Sequence, residues 1–185
     1  MSPEDRRAQL LDVTKALIIK DGINSFTIEL LSLEAGVSIP LVYKYFDTRL
    51  ELLQDLLLRE YLSFLGNLKQ ELKSVVEFDV LVEKLVSVNF DEISSGNIVS
   101  ILREQSDVNE VILSRHRKAH SSDRLIFEKL QNHYGYSDAS SEFLVRIASA
   151  ASYAAAEHFR NSGGDRSQLI NKTVKFILGG IGNAS

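Results

Sequence analysis

The chain has no cysteine, which removes disulfide bridges and thiolate-held metal from consideration. It has two prolines in 185 residues, and against abundant Leu, Ala, Lys and Glu that scarcity leaves helix open almost everywhere. No stretch approaches the ~20 apolar residues that a bilayer-spanning helix needs, and no basic start followed by a long apolar run opens the chain. The expectation is a soluble, cytoplasmic protein with no membrane partner. Period-two alternation between turn residues, the mark of half-buried strands, is also missing. Positive charge is in short supply: the net charge is −4. Residues 1–50 hold six cations (Arg6, Arg7, Lys15, Lys20, Lys44, Arg49) against seven acids (Glu4, Asp5, Asp12, Asp21, Glu29, Glu34, Asp47), a net of −1. A general electrostatic attraction to nucleic acid is therefore excluded, and any phosphate contact must come from a few placed cations, hydroxyls and helix N-termini.

What is present is a 44% hydrophobic composition, ample for a packed core, in a length that suits one ordinary domain or a small head joined to a larger body. Ser2-Pro3-Glu4-Asp5 is a helix start, with a capping serine, proline at the first helical position and acids in the first turn. Leu10, Leu11, Thr14, Leu17 and Ile18 follow at helical spacing until Gly22. Thr27 opens a second helix carrying Ile28, Leu31 and Ala35 and ending at Gly36. Ser38 caps a short third through Tyr45, with Pro40 in its first turn. Thr48 to Glu51 reads as a capping box, opening a long helix with Leu53, Leu57, Tyr61, Phe64, Leu68 and Leu72 on one side. Further helices are expected at about 79–93, 97–105, 107–133, 138–161 and 166–181, separated by Ser/Gly-rich breaks. The fold class is all-α with about nine helices, divided into a head (residues 1–48) and a helical body (49–185).

The segment from Thr27 to Phe46 is two short helices joined by a tight turn. Ala35 is small where the helices approach, Gly36 supplies a positive φ, and Val37 plugs the interface below. Such a helix-turn-helix sets its second helix into the major groove. The exposed side would carry Ser38, Ile39, Pro40, Lys44 and Tyr45: hydroxyls and a lysine for hydrogen bonds, Ile39 and Pro40 for thymine methyls. Arg49 sits in the first turn of the next helix, where a cation opposes the macrodipole unless an anion, such as a DNA phosphate, meets it. Taken alone, Ala-Gly-Val between two helices is better explained by ordinary packing. Phe46 reads as core, and Tyr43 as ring inward with hydroxyl outward.

Over about residues 6–58 the sequence resembles the TetR/AcrR family of transcriptional regulators. The likeness runs from Leu10-Leu11-Asp12 to Gly22, through Thr27, Ala35-Gly36-Val37-Ser38 and Tyr43-x-Tyr45-Phe46, to Thr48, Arg49, Leu52 and Leu53. The resemblance implies phosphate contacts by Thr27, Tyr43, Tyr45 and Arg49, and base-edge or close backbone contacts by Ser38, Ile39, Pro40 and Lys44. Position 32 is Ser where the family usually has Ala, Leu30, Leu33 and Leu50 replace typically polar residues, Arg49 stands where Lys is commoner, and position 40 is often Gly. It further implies a homodimer through the last two helices and a small-molecule effector in the body, whose binding moves the long fourth helix and weakens operator affinity. Small residues over 147–156, and the stripe Ile170, Val174, Ile177, Ile181, are the candidate interface.

Other chemistry is thin. His116 and His120 stand four apart on an expected helix, a ligand spacing, but Arg115, Arg117 and Lys118 crowd them and a solvated basic face explains them better. Gly179-Gly180-Ile181-Gly182 follows no strand and precedes no helix, so it reads as fraying rather than a nucleotide loop. No nucleophile motif gathers the serines, histidines and aspartates, so no catalytic residue, metal or cofactor is assigned. Asn89 and Tyr153 are polar groups that suit either an effector cavity or a satisfied core, and no ligand residue is named. The reading is a DNA-binding regulator, expected to repress through a palindromic operator. The alternatives are a helical ligand-binding or scaffold protein with a DNA-silent head, and a small-molecule enzyme on a bundle.

Overall fold

The computed structural model describes residues 2–75, 77–94, 97–118 and 124–184. All regular structure among them is helical: α1 (Pro3–Asp21), α2 (Ile28–Ala35), α3 (Ile39–Tyr45), α4 (Arg49–Lys73), α5 (Phe78–Ser94), α6 (Ile98–Arg103), α7 (Ser106–Lys118), α8 (Arg124–Tyr134), α9 (Asp138–Ser162) and α10 (Arg166–Gly182), with a 3-10 turn at Ile23–Ser25. The helix expected over 107–133 is present as two, α7 and α8, and residues 119–123 between them lie outside those described. The His116/His120 pair falls there too: His120 and the side chain of His116 are outside the described residues. Among the described residues no group of three or more His, Cys, Asp or Glu could hold a metal ion. No helix among them is long and apolar enough to cross a membrane.

The chain forms two compact units. The first is Met1–Phe64 with Asn97–Lys118, the second Leu65–Gly96 with Ala119–Ser185. The unit that holds the helix-turn-helix is thus larger than residues 1–48, since it includes the start of α4 together with α6 and α7. In it, α1 begins as its sequence dictates. Ser2 Oγ accepts from Asp5 N and Asp5 Oδ2 accepts from Ser2 N, both at 3.1 Å, a reciprocal cap behind Pro3. Its buried set is Leu10, Leu11, Thr14, Leu17 and Ile18, and the Thr14 hydroxyl donates to Leu10 O at 2.8 Å. Helix α4 contributes Leu52, Leu53, Leu56, Leu57 and Tyr61, a double stripe wider than the single one expected. The Thr48 cap forms, accepting from Glu51 N at 3.0 Å, but the Glu51 carboxylate accepts from Asp47 N at 2.6 Å, one residue earlier than the capping-box reading. Gln54 on α4 donates to Asp107 O at the start of α7, at 2.9 Å.

The second unit packs α5, α8, α9 and α10 with the end of α4 around Leu72, Leu81, Val86, Phe90, Leu130, Val145 and Ala156. Ser137 and Asp165 cap α9 and α10, accepting from Ser140 N and Gln168 N. Arg166 ties α10 to α5, donating to Ser87 Oγ at 3.0 Å and Asp91 Oδ1 at 2.5 Å. At the other end Tyr134 packs edge-on to Phe78 and His133 and stacks on Tyr136. Burial, then the charges of Asp79 and Tyr136, raise the Tyr134 pKa above its ordinary value. Helix α10 does not fray at its glycines but continues to Gly182, because Tyr136 donates to Ile181 O at 2.6 Å and Asn183 donates to Gly179 O at 2.7 Å. The stripe Ile170, Ile177 and Ile181 is not free for an interface, since it is buried in the unit's own core with Val174 packed beside it. The exposed large apolar side chains of these last helices are Phe143, Phe176 and Ile147, the last within the candidate segment 147–156.

Candidate DNA interface

The candidate site is built by α2, its turn and α3. Thr27 caps α2, its hydroxyl accepting from Leu30 N at 3.2 Å. Gly36 ends α2 at φ 64°, ψ 38°, the left-handed conformation that glycine adopts without cost. Gly36 N donates to Leu33 O at 3.2 Å and Val37 N to Ser32 O at 3.0 Å, the paired bonds of a Schellman motif. Ser32 adds a bond of its own, its hydroxyl donating to Val37 O at 2.5 Å. The departure from Ala at this position therefore fastens the turn from the α2 side. Ser38 then caps α3, accepting from Leu41 N at 3.4 Å.

Helix α3 has two faces. Val42 and Phe46, at 0% and 1% exposure, turn inward and seat the helix. Ile39, Pro40, Tyr43 and Lys44 are exposed, and the pairs 39/43 and 40/44 are one helical turn apart on the outer face. Tyr43 is more open than the sequence reading had it, at 45% exposure. Tyr45 is half-buried, and Thr27 and Ser38 are exposed at their helix starts.

Arg49 is exposed, but its guanidinium is already engaged. Nε donates to Phe26 O at 3.3 Å and Nη2 to Ile23 O at 3.1 Å, with the group 5.5 Å from the Phe26 ring centroid. The macrodipole argument for an external anion at Arg49 thus has an internal answer, since two carbonyls ahead of α2 meet this cation. Arg7, which sequence reasoning did not single out, occupies the other end of α3. Nη1 donates to Tyr45 O at 2.6 Å, the guanidinium lies 4.4 Å from the Phe46 ring centroid, and Nη2 pairs with Asp55 on α4.

Two further cations between α1 and α4 are neutralised locally. Lys15 pairs with Glu60 at 2.8 Å, and Arg59 with Asp12 at 2.9 Å and Glu60 at 2.8 Å. Burial pushes the Glu60 carboxyl up, but hydrogen bonds and charge from Lys15 and Arg59 outweigh it and hold its pKa below the ordinary value. Between Glu34 and Asp47 the chain carries no acid, so the α3 surface presents Lys44 with no carboxylate of its own segment to cancel it.

In the second unit the polar groups left open by the sequence come together between α5 and α9. Asn89 Nδ2 donates to Ser152 Oγ at 2.8 Å, and the Tyr153 hydroxyl donates to Glu92 Oε2 at 3.5 Å, with Glu92 4% exposed.

A family model described as bacterial regulatory proteins, tetR family, matches residues 10–56, the span from within α1 to the first turns of α4. A TetR-like transcriptional regulator from Rhodococcus sp. RHA1 is 16% identical, with 99% of both chains covered and a TM-score of 0.62. The transcriptional regulator FadR from Bacillus subtilis, solved with stearoyl-CoA, is 14% identical over 94% of this chain and 98% of its own, at 0.67. RolR, solved with resorcinol, is 14% identical over 95% of this chain and 86% of its own, at 0.68. No curated protein matches the chain. Residues 10–56 thus match the model of the tetR family of bacterial regulatory proteins, and the chain shares its fold along nearly its whole length with solved regulators of that family.

Proposed function

We infer that the protein is a sequence-specific transcriptional regulator that reads a two-fold operator as a homodimer and represses from it. The observation that carries this reading is the outer face of α3: a capped N-terminus, Ile39, Pro40, Tyr43 and Lys44 exposed, and no carboxylate from residue 35 to 46. Ser38, Ile39, Pro40 and Lys44 are the base-reading group, and Thr27, Tyr43, Tyr45 and Arg49 the phosphate group. Thr27 and Ser38 use hydroxyl lone pairs in their caps, which leaves each O–H free to donate to a phosphate oxygen. Arg49 keeps further N–H groups beyond the two that hold Ile23 and Phe26.

Dimerisation is assigned to the exposed faces of α9 and α10 around Phe143, Ile147 and Phe176. The two copies of α3 then stand about 34–36 Å apart, or a multiple of it, to meet successive major grooves. A small-molecule effector is assigned to the second unit, a role supported by the ligands of FadR and RolR without its chemistry being fixed by them. By linkage, an effector that favours the DNA-incompetent state lowers operator affinity by the same factor that DNA lowers effector affinity.

The test is selection of duplex fragments by the purified protein across a salt series, with Lys44→Ala and Tyr45→Ala beside the wild type. Recovery of a two-fold sequence is expected. Lys44→Ala should weaken binding and make the slope of log K against log salt shallower by about one if the lysine meets a phosphate, with relaxed sequence preference if it reads a base. A folded dimer that selects no sequence at low salt would overturn the reading in favour of a DNA-silent helical protein.

A further inference from the structure

We propose that Arg7 is a positioning residue for DNA recognition, holding the C-terminal end of α3 against α1 and α4 without touching DNA. This rests on the reading of α3 as the helix that meets DNA. Helix α3 has seven residues, well short of the ~12–15 at which an isolated helix begins to hold in water. Its one fully buried side chain is Val42. It must therefore be fixed at its ends. The N-terminal end has the Ser38 cap and the turn fastened by Ser32. At the C-terminal end the last carbonyls have no partner within the helix, and there the helix dipole is negative.

Arg7 meets that end with one rigid group used three ways. Nη1 donates to Tyr45 O at 2.6 Å, the plane lies 4.4 Å from the centroid of buried Phe46, and Nη2 pairs with Asp55. Asp55 Oδ2 is closed to solvent, so the arginine is its counter-charge in place of water. A planar fork is needed for this arrangement, since an ammonium is a point charge that cannot span a carbonyl and a carboxylate while stacking on a ring. Asp55 belongs to α4, so the pose of α3 is set by α4 through Arg7, and the partner carbonyl is 38 residues away in sequence. The contacts are with a backbone carbonyl, a buried ring and a carboxylate whose Oδ2 is closed to solvent.

The experiment uses the full chain with Arg7→Ala, Arg7→Lys and Asp55→Asn. In DNA-free protein, amide exchange over residues 42–46 should speed up about ten-fold in Arg7→Ala, the scale of one charge-assisted hydrogen bond, while α1 and the core of α4 stay protected. Arg7→Lys, which keeps the charge and loses the fork, should show a smaller change of the same kind, and it keeps the test open if the alanine variant does not fold. On a duplex recovered by the wild type from a random-sequence library, affinity should fall with the slope of log K against log salt unchanged. A slope shallower by about one would make Arg7 a phosphate contact and overturn the proposal, as would unchanged exchange over 42–46. If the wild type recovers no duplex, the DNA reading fails, and the exchange measurement still decides whether Arg7 holds α3.

Discussion

Glu60 offers the sharpest test of how the head is held together. Its Oε2 accepts from Lys15 on α1 at 2.8 Å, and its Oε1 from Arg59 Nε and Nη2 at 3.1 and 2.8 Å. The carboxylate side chain is 16% exposed, its partners 39% and 32%. Burial disfavours its charge, but the two cations prevail and the pKa is lowered in the folded state. A lowered carboxyl pKa contributes stability that is fully present above the unfolded value, near 4.3, and is lost as pH falls through the folded value. Glu60→Gln keeps the shape and removes the charge. Hydrogen bonds to charged groups are worth ~1.5–3 kcal/mol, but Lys15 and Arg59 are open enough to be rehydrated, so the expected loss at pH 7 is about 1–2 kcal/mol. For a chain of this size that is roughly 2–8 °C in the thermal midpoint. Circular dichroism melts of both proteins at pH 7 and at pH 3 measure it, since the chain has no tryptophan to report. The gap between them should narrow at pH 3. An equal gap at both pH values, or a Gln variant more stable at pH 7, would refute the reasoning, the latter by showing that burial outweighs pairing.

Three further substitutions probe other links. Gly36→Ala places a Cβ at φ +64° where no atom lies within 4 Å, so the cost is backbone strain alone, about 1–2 kcal/mol, read as a shift in urea midpoint with unchanged m. Phe46→Ala, at a site 1% exposed and beneath Arg7, should cost ~3–5 kcal/mol, whereas Tyr43→Ala, at 45% exposure, should stay within ~0.5 kcal/mol while operator affinity drops. If both unfold the protein equally, α3 is not two-faced. Phe176→Lys, at a ring 69% exposed on α10, should shift the sedimentation of the full chain toward monomer at micromolar concentration, and an unchanged dimer would remove this face from the interface.

Local rules made much of the fold legible. The Ser2-Pro3-Glu4-Asp5 start, the 3.6-residue spacing along α1, and the Gly36 stop depend on residues within a turn or two of each other, and each is found as read. Long-range pairing was not legible. The carbonyls that hold Arg49 lie 26 and 23 residues upstream, and nothing in the local pattern distinguishes them from a phosphate as the missing anion. Arg7 was invisible as a site for the same reason. Periodicity also cannot tell which partner covers an apolar stripe: α10 uses Ile170, Ile177 and Ile181 to complete its own unit and leaves Phe176 outside.

The charge balance, which at the level of sequence stands against DNA binding, changes meaning once the partners are known. Four cations of the first unit are committed inside it: Arg7 to Asp55, Lys15 to Glu60, Arg59 to Asp12 and Glu60, and Arg49 to two carbonyls. The acids they meet are thereby largely neutralised at close range, and beyond a Debye length of about 8 Å at physiological salt such pairs project little field in either direction. The net of −1 over residues 1–50 is therefore a poor measure of what a duplex meets at α3. There the local composition counts: Lys44, the hydroxyls of Ser38, Tyr43 and Tyr45, and a helix N-terminus, with no acid between Glu34 and Asp47. A surface of this kind has weak long-range steering and depends on close contacts, so the salt dependence of operator binding should be shallow for a helix-turn-helix protein, with a slope that counts few phosphates. A steep slope would mean that the ion pairs between α1 and α4 open on DNA and release their cations to the backbone.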